Sequence, residues 1–494
     1  MREYFIGLDI GTSSVKAVAF DLQGRFIQKK SAPCRTLSPA PGRQEQDPDA
    51  IYRLVVKVLR QIVSENGPPA AVSLSSAMHS LISLDEAGTP LTPAMLWSDT
   101  RAGAAAGALK GTPLGKEIYR VTGTPIHPMS PLLKLDWLRK HEPGIFKKTH
   151  KFLGIKEYLV FKLTGEFFTD YSMASATGLF DSSRLEWFAP ALDFAAITAA
   201  HLPQPVSPFF ILKNLNKNFL RQTGLPAGVP LLIGASDGCL ANLGAGAVGP
   251  GEAVLTIGTS GALRMFAQSP KHDPLERIFN YLLFENQYVT GGASNNGGVV
   301  YEWFTSTFFN AKPADGRMVR RLNALAQVPA GSDGLLHLPY LLGERAPIWN
   351  ASARGVFYGI TTAHTSAHFR RAVLEGILLN LCIVGLVLEN TVAPISRLLV
   401  DGGYTKMDFW VQMTADVFGK EVITLESEDA PALGAALLAM KELGCIEDFA
   451  AVKRMVQQKN TFQPDEKNHR IYSECLEYFK EIYSRLEGAF RESV

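Results

Sequence analysis

The chain has 494 residues, which is long for a single hydrophobic core and favours two domains. Hydrophobic residues make up 46% of the sequence and charged residues 19%, as in ordinary soluble globular proteins. Lysine and arginine total 49 against 47 acidic residues, so the net charge is only +2. This balance argues against nucleic acid or a membrane surface as a partner, since both favour a concentrated basic patch.

The cysteines and the apolar runs of the sequence argue against further classes of protein. The five cysteines are scattered and form no C-x-x-C pair, so neither a disulfide framework nor a zinc site is predicted. No signal peptide is recognisable before the first predicted strand, which begins near Tyr4. The longest apolar run, from Gly376 to Leu388, is interrupted by Asn380 and is too short to span a bilayer. We therefore expect a buried core helix there and a cytoplasmic protein.

Two similar segments, one in each half of the chain, predict a strand, a tight hydroxyl-rich turn and a second strand. The first is YFIGLDIGTSSVKAVAFD, with its turn at Gly11, Thr12 and Ser13. The second is EAVLTIGTSGALRMF, with its turn at Gly258, Thr259 and Ser260. The two turns lie 247 residues apart, half the length of the chain, which favours a duplicated domain.

Other segments predict strands that alternate with helices. Strands are expected at residues 70–74, 231–233 and 398–400, and helices at residues 50–63, 367–388, 410–418 and 471–490. Mixed elements without a low-complexity linker favour two packed α/β domains. We place the boundary in the glycine-rich stretch 244–251, which gives domains of residues 1–246 and 247–494.

The two Gly-Thr-Ser turns carry chemical groups that are suited to bind phosphate. Gly-Thr-Ser supplies backbone N–H donors, hydroxyls and room for close approach. Asp9, at the end of the first strand, is suited to hold Mg²⁺ directly or through water, whereas the sequence leaves open whether Lys16 reaches the site. The segment is not a P-loop, because G-x-x-x-x-G-K-[ST] is absent and a strand follows the turn. One copy alone indicates an ordinary hairpin turn, but two copies predict loops that grip phosphates across a cleft.

A carboxylate suited to catalysis follows the predicted strand in LLIGASDG, which delivers Asp237 to a turn. A kinase that acts on an alcohol needs a carboxylate to orient the hydroxyl and accept its proton. Asp-Gly is also a common turn pair, so the position just before the second Gly-Thr-Ser turn is what favours the catalytic interpretation.

Polar residues that follow other strand-like segments are candidates for substrate and nucleotide binding. His79, in SAMHS, and Asp99 and Arg101, in WSDTR, are suited to bind hydroxyls, with Trp97 as an apolar wall. A structural histidine and a plain Asp99–Arg101 ion pair are equally consistent with the pattern. The paired glycines of VDGGY, residues 400–404, expose backbone that can lie beside an adenine or ribose, though Gly-Gly also serves any tight turn.

Together, these motifs resemble the FGGY family of carbohydrate kinases, within the fold group of sugar kinases, actin and heat-shock chaperones. MSPLLKLDWLRKH, residues 129–141, is similar to the signature of the family's N-terminal domain. GVFYGI with HFRRAVLE, from residue 355 to 375, is similar to the C-terminal signature, and GERAPIW, residues 343–349, to the segment before it. The resemblance covers residues 4 to about 443. It implies an α/β fold of two duplicated RNase H-like domains, of the actin and hexokinase type, with an active-site cleft between them.

The resemblance also implies roles for individual residues and places the substrate on the N-terminal domain and the nucleotide on the C-terminal one. Asp237 would be the catalytic base, and Asp9 and Asp237 would associate with Mg²⁺. Contacts to ATP are implied for Gly11, Thr12, Ser13, Lys16, Gly258, Thr259, Ser260, Asn295, Asn296, Gly402 and Gly403. The substrate pocket would be lined by Met78, His79, Trp97, Asp99, Arg101 and Asp237. ATP and Mg²⁺ are the implied cofactors and a sugar acid or sugar the implied partner, while a homodimer is left open.

Within the family, SSAMHS and TGTPIHPMSP, residues 75–80 and 122–131, are similar to the gluconate-kinase branch. Xylulose kinases usually have Gln-Met-His-Gly where this chain has residues 77–80, and glycerol kinases lack the Met-His pair. The expected reaction is transfer of the ATP γ-phosphoryl group to D-gluconate, giving 6-phosphogluconate. A kinase for xylulose or another sugar or polyol is the alternative. A non-catalytic, actin-like nucleotide switch is the alternative from a different class, but it would not need Asp237.

Gluconate differs from xylulose by its carboxylate, so its pocket is expected to offer a positive charge. Arg101 is the first candidate, because a guanidinium binds a carboxylate through two parallel hydrogen bonds. His79 is expected to assist as a neutral hydrogen-bond donor, and Lys156 and His127 are weaker candidates.

Overall fold

The structure is a computed structural model that describes residues 3–309, 324–426 and 429–492. Its strands in chain order are β1 (Tyr4–Ile10), β2 (Ser14–Asp21), β3 (Phe26–Pro33), β4 (Glu45–Gln46), β5 (Ala71–Ser76), β6 (Ile82–Leu84), β7 (Ala94–Met95), β8 (Lys151–Leu153), β9 (Phe168–Asp170), β10 (Phe180–Asp181), β11 (Glu186–Trp187), β12 (Gln204–Val206), β13 (Leu231–Ser236), β14 (Glu252–Ile257), β15 (Gly261–Ala267), β16 (Phe279–Phe284), β17 (Gln287–Ser294), β18 (Leu336–Leu338), β19 (Val356–Tyr358), β20 (Arg397–Asp401), β21 (Glu421–Leu425) and β22 (Gln458–Phe462). Its α-helices are α1 (Pro48–Asn66), α2 (Gly103–Leu109), α3 (Pro113–Thr122), α4 (Pro131–His141), α5 (Pro143–Lys148), α6 (Ile155–Thr164), α7 (Tyr171–Ser175), α8 (Ala189–Ala195), α9 (Lys217–Thr223), α10 (Asp237–Gly244), α11 (Gly298–Phe309), α12 (Ser366–Thr391), α13 (Asp408–Phe418), α14 (Ala430–Glu442), α15 (Val452–Met455) and α16 (Glu466–Glu492).

Two sheets with the same topology form the two halves of the molecule. The first has the order β13-β5-β1-β2-β3, in which β1 to β3 are antiparallel and β5 and β13 run parallel to β1. The second has the order β16-β17-β15-β14-β20-β21-β22, and its strands β17, β15, β14, β20 and β21 repeat the directions of the first sheet. The predicted duplication of an α/β domain is therefore confirmed. The seven longer predicted strands and helices all appear, each within a few residues of its expected bounds.

The apolar run in the second half forms the central part of α12. This helix is long and apolar enough to cross a membrane, but 83% of its most apolar window is buried inside the protein. Its side chains, such as Ile377, Leu378 and Leu381, pack in the core of the second domain with the strands that precede and follow it. The helix is therefore explained as the core element that the sequence predicts.

The last 50 residues complete the second domain, although the sequence indicates no motif there. β22 pairs with β21, and α16 contributes Tyr472, Phe479 and other side chains to the core. The Tyr472 hydroxyl donates to Glu375 of α12 at 2.9 Å and accepts from Arg371 at 2.8 Å. The C-terminal helix is thus part of the domain core, held by the hydrogen bonds of Tyr472 to the buried Arg371–Glu375 ion pair of α12 and by apolar contacts.

A helix of the second half, α14, packs on the sheet of the first half. A Cβ atom at Gly7 of β1 would lie 1.8 Å from the carbonyl oxygen of Ala432, and one at Gly434 would lie 2.1 Å from that of Leu240 in α10. Neither distance leaves room for a side chain, so glycine at these positions allows α14 to contact both β1 and α10 through their backbones. The contact joins the two domains through one shared apolar cluster.

Candidate active site

A cavity of about 430 Å³ lies between the two domains at the ends of their central strands. Of the residues selected from the sequence, the cavity is lined by Asp9, Gly11, Thr12, Ser13, Lys16, Met78, His79, Trp97, Asp237, Thr259 and Ser260. Residues from both halves of the chain contribute to the lining. The fold therefore brings the two Gly-Thr-Ser turns and Asp237 together at one site.

The two Gly-Thr-Ser turns are tight backbone turns that connect antiparallel strands. The N–H of Gly11 donates to the carbonyl of Ser14 at 3.0 Å, and the N–H of Gly258 donates to that of Ser260 at 2.9 Å. The second turn also lies against the start of α11, where the N–H of Gly298 donates to the carbonyl of Gly258. Turns of this kind, with hydroxyls and a nearby helix N-terminus, suit the binding of phosphate oxygens.

The first turn lies beside a cluster of buried carboxylates bridged by Lys16. Asp9, only 3% exposed, accepts from Ser75 at 2.8 Å and lies 3.3 Å from the Lys16 ammonium. That ammonium also pairs with Asp429, the residue before α14, at 2.8 Å. Burial, and next the charge of Asp429, raise the pKa of Asp9 to about 7, although Lys16 opposes this. The Lys29 ammonium lies 3.8 Å from the same oxygen of Asp429, so the carboxylates Asp9 and Asp429 face two lysines.

A divalent cation would fit beside these carboxylates, since Oδ1 of Asp429 is buried and has no hydrogen-bond partner within the described part of the chain. Within the described ranges, no group of three or more His, Cys, Asp or Glu side chains is arranged to hold a metal ion by itself. A cation that enters with a nucleotide satisfies both observations, because phosphate oxygens would complete its coordination.

Asp237 is the first residue of α10, which follows β13 directly. Its Oδ1 accepts from the N–H of Gly238 at 2.6 Å, and the start of a helix favours a negative charge. Burial raises the pKa of Asp237, and the strongest opposing influence is the guanidinium of Arg264. The carboxylate is thus fixed in the cavity, beside a cation, with one oxygen not engaged by Gly238.

The wall of the cavity opposite the second domain contains Met78, His79 and Trp97. The Trp97 indole donates to the hydroxyl of Thr12 at 3.0 Å, which ties this wall to the first Gly-Thr-Ser turn. His79 has a positive φ of 68°, an uncommon conformation for a non-glycine residue. Burial lowers the pKa of His79 to about 3, so the imidazole is neutral.

The tautomer of His79 follows from its neighbours. Nδ1 lies 2.8 Å from the carbonyl of Ala176, and because a carbonyl only accepts, Nδ1 carries the proton. Nε2 is then an acceptor, 3.4 Å from the Tyr281 hydroxyl. Nε2 of His79 is therefore an acceptor, and the expectation that His79 donates to a substrate carboxylate is wrong, because its one N–H is already bound to the carbonyl of Ala176.

A buried lysine holds the backbone of this wall in place. Lys134 of α4 donates to the carbonyls of His79 and Leu96, at 2.5 and 2.7 Å. Burial lowers the pKa of Lys134 to about 7. Lys134 lies in the segment that resembles the N-terminal family signature, and the sequence alone assigns it no role.

Asp99 and Arg101 do not line the cavity; the structure pairs them with each other. The guanidinium of Arg101 binds Asp99 at 2.6 and 2.8 Å, also contacts Glu45, and stacks on Trp137. The guanidinium of Arg101 thus forms its ion pairs with carboxylates of the protein and not with a group in the cavity. Of the weaker candidates for a substrate carboxylate, Lys156 pairs with buried Asp170 at 2.5 Å, and His127 packs edge-on against Trp349.

The remaining nucleotide candidates border the second Gly-Thr-Ser turn and do not line the cavity. Gly402 has a φ of 106°, and a Cβ there would lie 2.4 Å from the carbonyl of Ile257, just before that turn. A Cβ at Gly403 would meet no atom within 4 Å, so the backbone there is open to a ligand. Asn296 is buried and donates to Gly343 at 2.7 Å, while Asn295 donates to Leu342 at 3.1 Å. Both asparagines thus position the segment that leads into GERAPIW.

Three charged residues of the site are absent from the selection made on sequence: Arg264, Arg345 and Asp429. Arg264 lies in β15 and Arg345 in GERAPIW, and both line the cavity. A charged residue inside an otherwise apolar strand, as in ALRMF, is the signal that marks Arg264. No local pattern marks Asp429, since its partners lie in the other domain.

The duplicated domains and the shared cavity define the class of two-domain kinases with an actin- and hexokinase-like fold. Comparison with known proteins gives the family. Residues 4–244 match the model of the N-terminal domain of the FGGY family of carbohydrate kinases, and residues 253–443 match the model of its C-terminal domain. The chain belongs to the FGGY family of carbohydrate kinases. Members of such a kinase family use ATP, and typically a divalent metal.

Individual relatives match over the full chain. A gluconokinase of Bacillus licheniformis is 39% identical, over 100% of this chain and 98% of its own length. Two solved structures from Lactobacillus acidophilus, a gluconate kinase and a ligand-bound xylulose kinase, superpose with TM-scores of 0.95. Each is 33% identical to this chain and is covered in full, as this chain is.

Proposed function

We propose that this protein is a gluconate kinase that transfers the γ-phosphoryl group of ATP to D-gluconate, giving 6-phosphogluconate and ADP. The observation that carries the proposal is that one cavity is lined by both Gly-Thr-Ser turns and by Asp237. The 39% identity to a gluconokinase, against 31% to a xylulose kinase found in the same comparison, supports gluconate as the acceptor.

In the proposed reaction, Asp237 orients the terminal hydroxyl of the substrate and accepts its proton. The substrate oxygen forms a bond to the γ-phosphorus as the bond to the β-γ bridging oxygen breaks, and ADP leaves. The Gly-Thr-Ser turns at residues 11–13 and 258–260 hold the phosphates, and Lys16 compensates part of their charge. Gly403 and its neighbours border the nucleoside. Domain closure excludes water that would otherwise hydrolyse ATP.

Mg²⁺ is the metal that we propose for this site, associated with Asp9 and Asp237 and with the bound nucleotide. It would neutralise phosphate charge during transfer. The substrate wall is formed by Met78, His79 and Trp97, whereas Asp99 and Arg101 would support it from outside the cavity. The proposal keeps the cytoplasmic location and the domain boundary near residue 246 that the sequence predicts.

A xylulose kinase is the second candidate, because a protein of that name is among the similar structures. An assay that couples ADP release to NADH oxidation separates the candidates when gluconate, xylulose, glycerol and glucitol are compared. We expect the highest kcat/KM with gluconate. A higher kcat/KM with xylulose would refute gluconate as the substrate and leave the kinase assignment standing.

The base is tested by Asp237→Asn. We expect kcat to fall by roughly 10²- to 10⁴-fold, since a general base is lost, while the Kd for ADP stays the same. Asp193→Asn, at an exposed position in α8, is the matched control and should behave as the wild type. Near-normal turnover of Asp237→Asn would remove Asp237 from the mechanism.

A further inference from the structure

Arg264 and Arg345 both line the cavity, and no carboxylate among the described residues forms a salt bridge with either guanidinium, although the charge of Asp237 acts on both. Arg345 is only 8% exposed; its guanidinium lies 4.5 Å above the Trp97 ring, and one of its nitrogens donates to the carbonyl of Ser294 at 3.2 Å. Nε of Arg345, and Nε and Nη1 of Arg264, are buried and have no hydrogen-bond partner among the described residues. Buried polar groups are rarely left without partners, so these N–H groups indicate a missing ligand.

The charges of the two arginines specify the chemistry of that ligand. Burial lowers the pKa of Arg345 to about 10, and the nearby charge of Arg264 acts in the same direction. The like charges of the two buried guanidinium groups repel one another; the charge of Asp237 opposes this repulsion, and a bound anion would reduce it further. A planar carboxylate matches the two parallel N–H groups of a guanidinium.

The residues around Arg264 on this face of the sheet are small. Arg264 on β15 is directly opposite Gly291 on β17, and Gly291 is opposite Phe279 on β16. A Cβ at Gly291 would lie 2.3 Å from the carbonyl oxygen of Leu263 and 3.1 Å from Cγ of Arg264, so there is no room for a side chain beside the arginine. Ala262 and Ala293, on the same face, are also small and line the cavity. The sheet therefore leaves space over this face for Arg264 and a ligand.

We propose that Arg264 and Arg345 together bind the carboxylate of the sugar-acid substrate and so determine the preference for an acid over a neutral sugar. The inference rests on the proposed function and replaces Arg101 as the carboxylate-binding residue. Arg101 is saturated by Asp99 and Glu45, whereas Arg264 and Arg345 have free donors in the cavity. The phosphates of ATP are the other anionic ligand groups proposed for this cleft, so the test compares them with the carboxylate of the substrate.

The test measures binding to the full chain by calorimetry with three probes: D-gluconate, D-gluconamide and ADP with Mg²⁺. Gluconamide keeps all the hydroxyls and replaces the carboxylate by a neutral amide. The variants are Arg264→Met and Arg345→Met, and Arg184→Met is the matched control because the Arg184 side chain is 75% exposed. We expect each cavity variant to weaken gluconate binding by roughly 30- to 1,000-fold, the range for a buried charge left without its partner. Gluconamide and ADP should bind within about threefold of the wild type.

Three outcomes would overturn the inference. The first is that the variants weaken gluconate and gluconamide equally, because Arg264 would then act only through Asp237. The second is that they weaken ADP binding instead, which would assign the arginines to phosphate. The third is that the wild type binds gluconamide as tightly as gluconate.

Failure of the proposed function is distinguishable from these outcomes, because it requires the wild type itself to phosphorylate a neutral sugar better than gluconate. Thermal melting checks that each variant folds. If a methionine variant does not fold, the same binding measurements are made with the lysine variant at that position. Lysine keeps the positive charge but lacks the two parallel N–H donors of the guanidinium. Arg264→Lys or Arg345→Lys should then reduce the preference for gluconate over gluconamide by about tenfold, and an unchanged preference would refute the role of that arginine.

Discussion

Replacing Gly434 by alanine should force apart the helices that join the two domains. The new Cβ would lie 2.1 Å from the carbonyl oxygen of Leu240, whereas carbon and oxygen in contact need about 3.3 Å. The clash is with backbone, so no rotamer change relieves it, and α14 must move away from α10 by about 1 Å. Because α10 begins at Asp237, the same movement displaces the proposed base. Overpacking of this kind destabilises by roughly 1–3 kcal/mol.

Two measurements follow from this geometry. Thermal melting of Gly434→Ala should show a Tm lowered by about 2–4 °C for each kcal/mol lost. Its kcat/KM should fall by up to roughly 10²-fold, since a 1 Å misplacement near the chemistry has effects of that size. Gly488→Ala is the matched control, because Gly488 is exposed in helix α16 and a Cβ there meets no atom within 4 Å. This control should gain about 0.5–1 kcal/mol. A Gly434→Ala protein with the Tm and kcat/KM of the wild type would refute the described packing.

Two further predictions concern the charged groups. The pKa of Asp9 is about 7 in the fold and about 3.9 in an unfolded chain, so its contribution to stability is lost as pH rises from about 4 to 7. In urea titrations without ligand, the stability of the wild type relative to Asp9→Asn should fall across this interval. Asp429→Asn should lower the upper end of the interval, because the charge of Asp429 raises the pKa of Asp9 in the fold. Arg101→Leu should lower stability by about 3–5 kcal/mol, because it leaves Asp99 buried and unpaired. The kcat/KM of Arg101→Leu should fall by the same factor with gluconate as with gluconamide. A larger loss with gluconate would show that Arg101 binds the substrate carboxylate after all.

The local parts of the fold could be predicted from the sequence, and the long-range contacts could not. Strand-turn-strand units such as residues 4–21 are visible because alternation and turn residues are encoded within about 18 positions. The sequence around Arg101 is the same whether Arg101 forms an ion pair with Asp99 or binds a ligand. Its pairing inside the protein also involves Glu45, which lies 56 residues earlier in the chain, so the local sequence does not reveal it.

The residues of the cavity could likewise be predicted only in part from the sequence. The segment ALRMF indicates a strand, but it does not show that Arg264 faces the cleft, because that depends on the pairing of β15 with β17. Asp429 reaches Lys16 only because α14 packs on the sheet of the first domain. The site residues that the sequence predicts are therefore those that lie in recognisable local motifs. Arg264, Arg345 and Asp429 belong to the site because of contacts with residues that are distant in the sequence, so a local motif does not reveal them.

The packing of α14 on β1 has a consequence for biosynthesis. Gly7 and Ala432, whose backbones touch, are separated by 425 residues, and ribosomes add about 5–20 residues per second. For about 20–85 s after β1 is made, the apolar cluster that contains Phe5, Val18 and Leu232 lacks the side chains of α14, and α10 is the helix of the first half that contributes Cys239, Leu240 and Leu243 to it. During that time the nascent first half presents an apolar surface to the cell. We expect it to need a chaperone, and we expect neither half to be a stable protein when expressed alone.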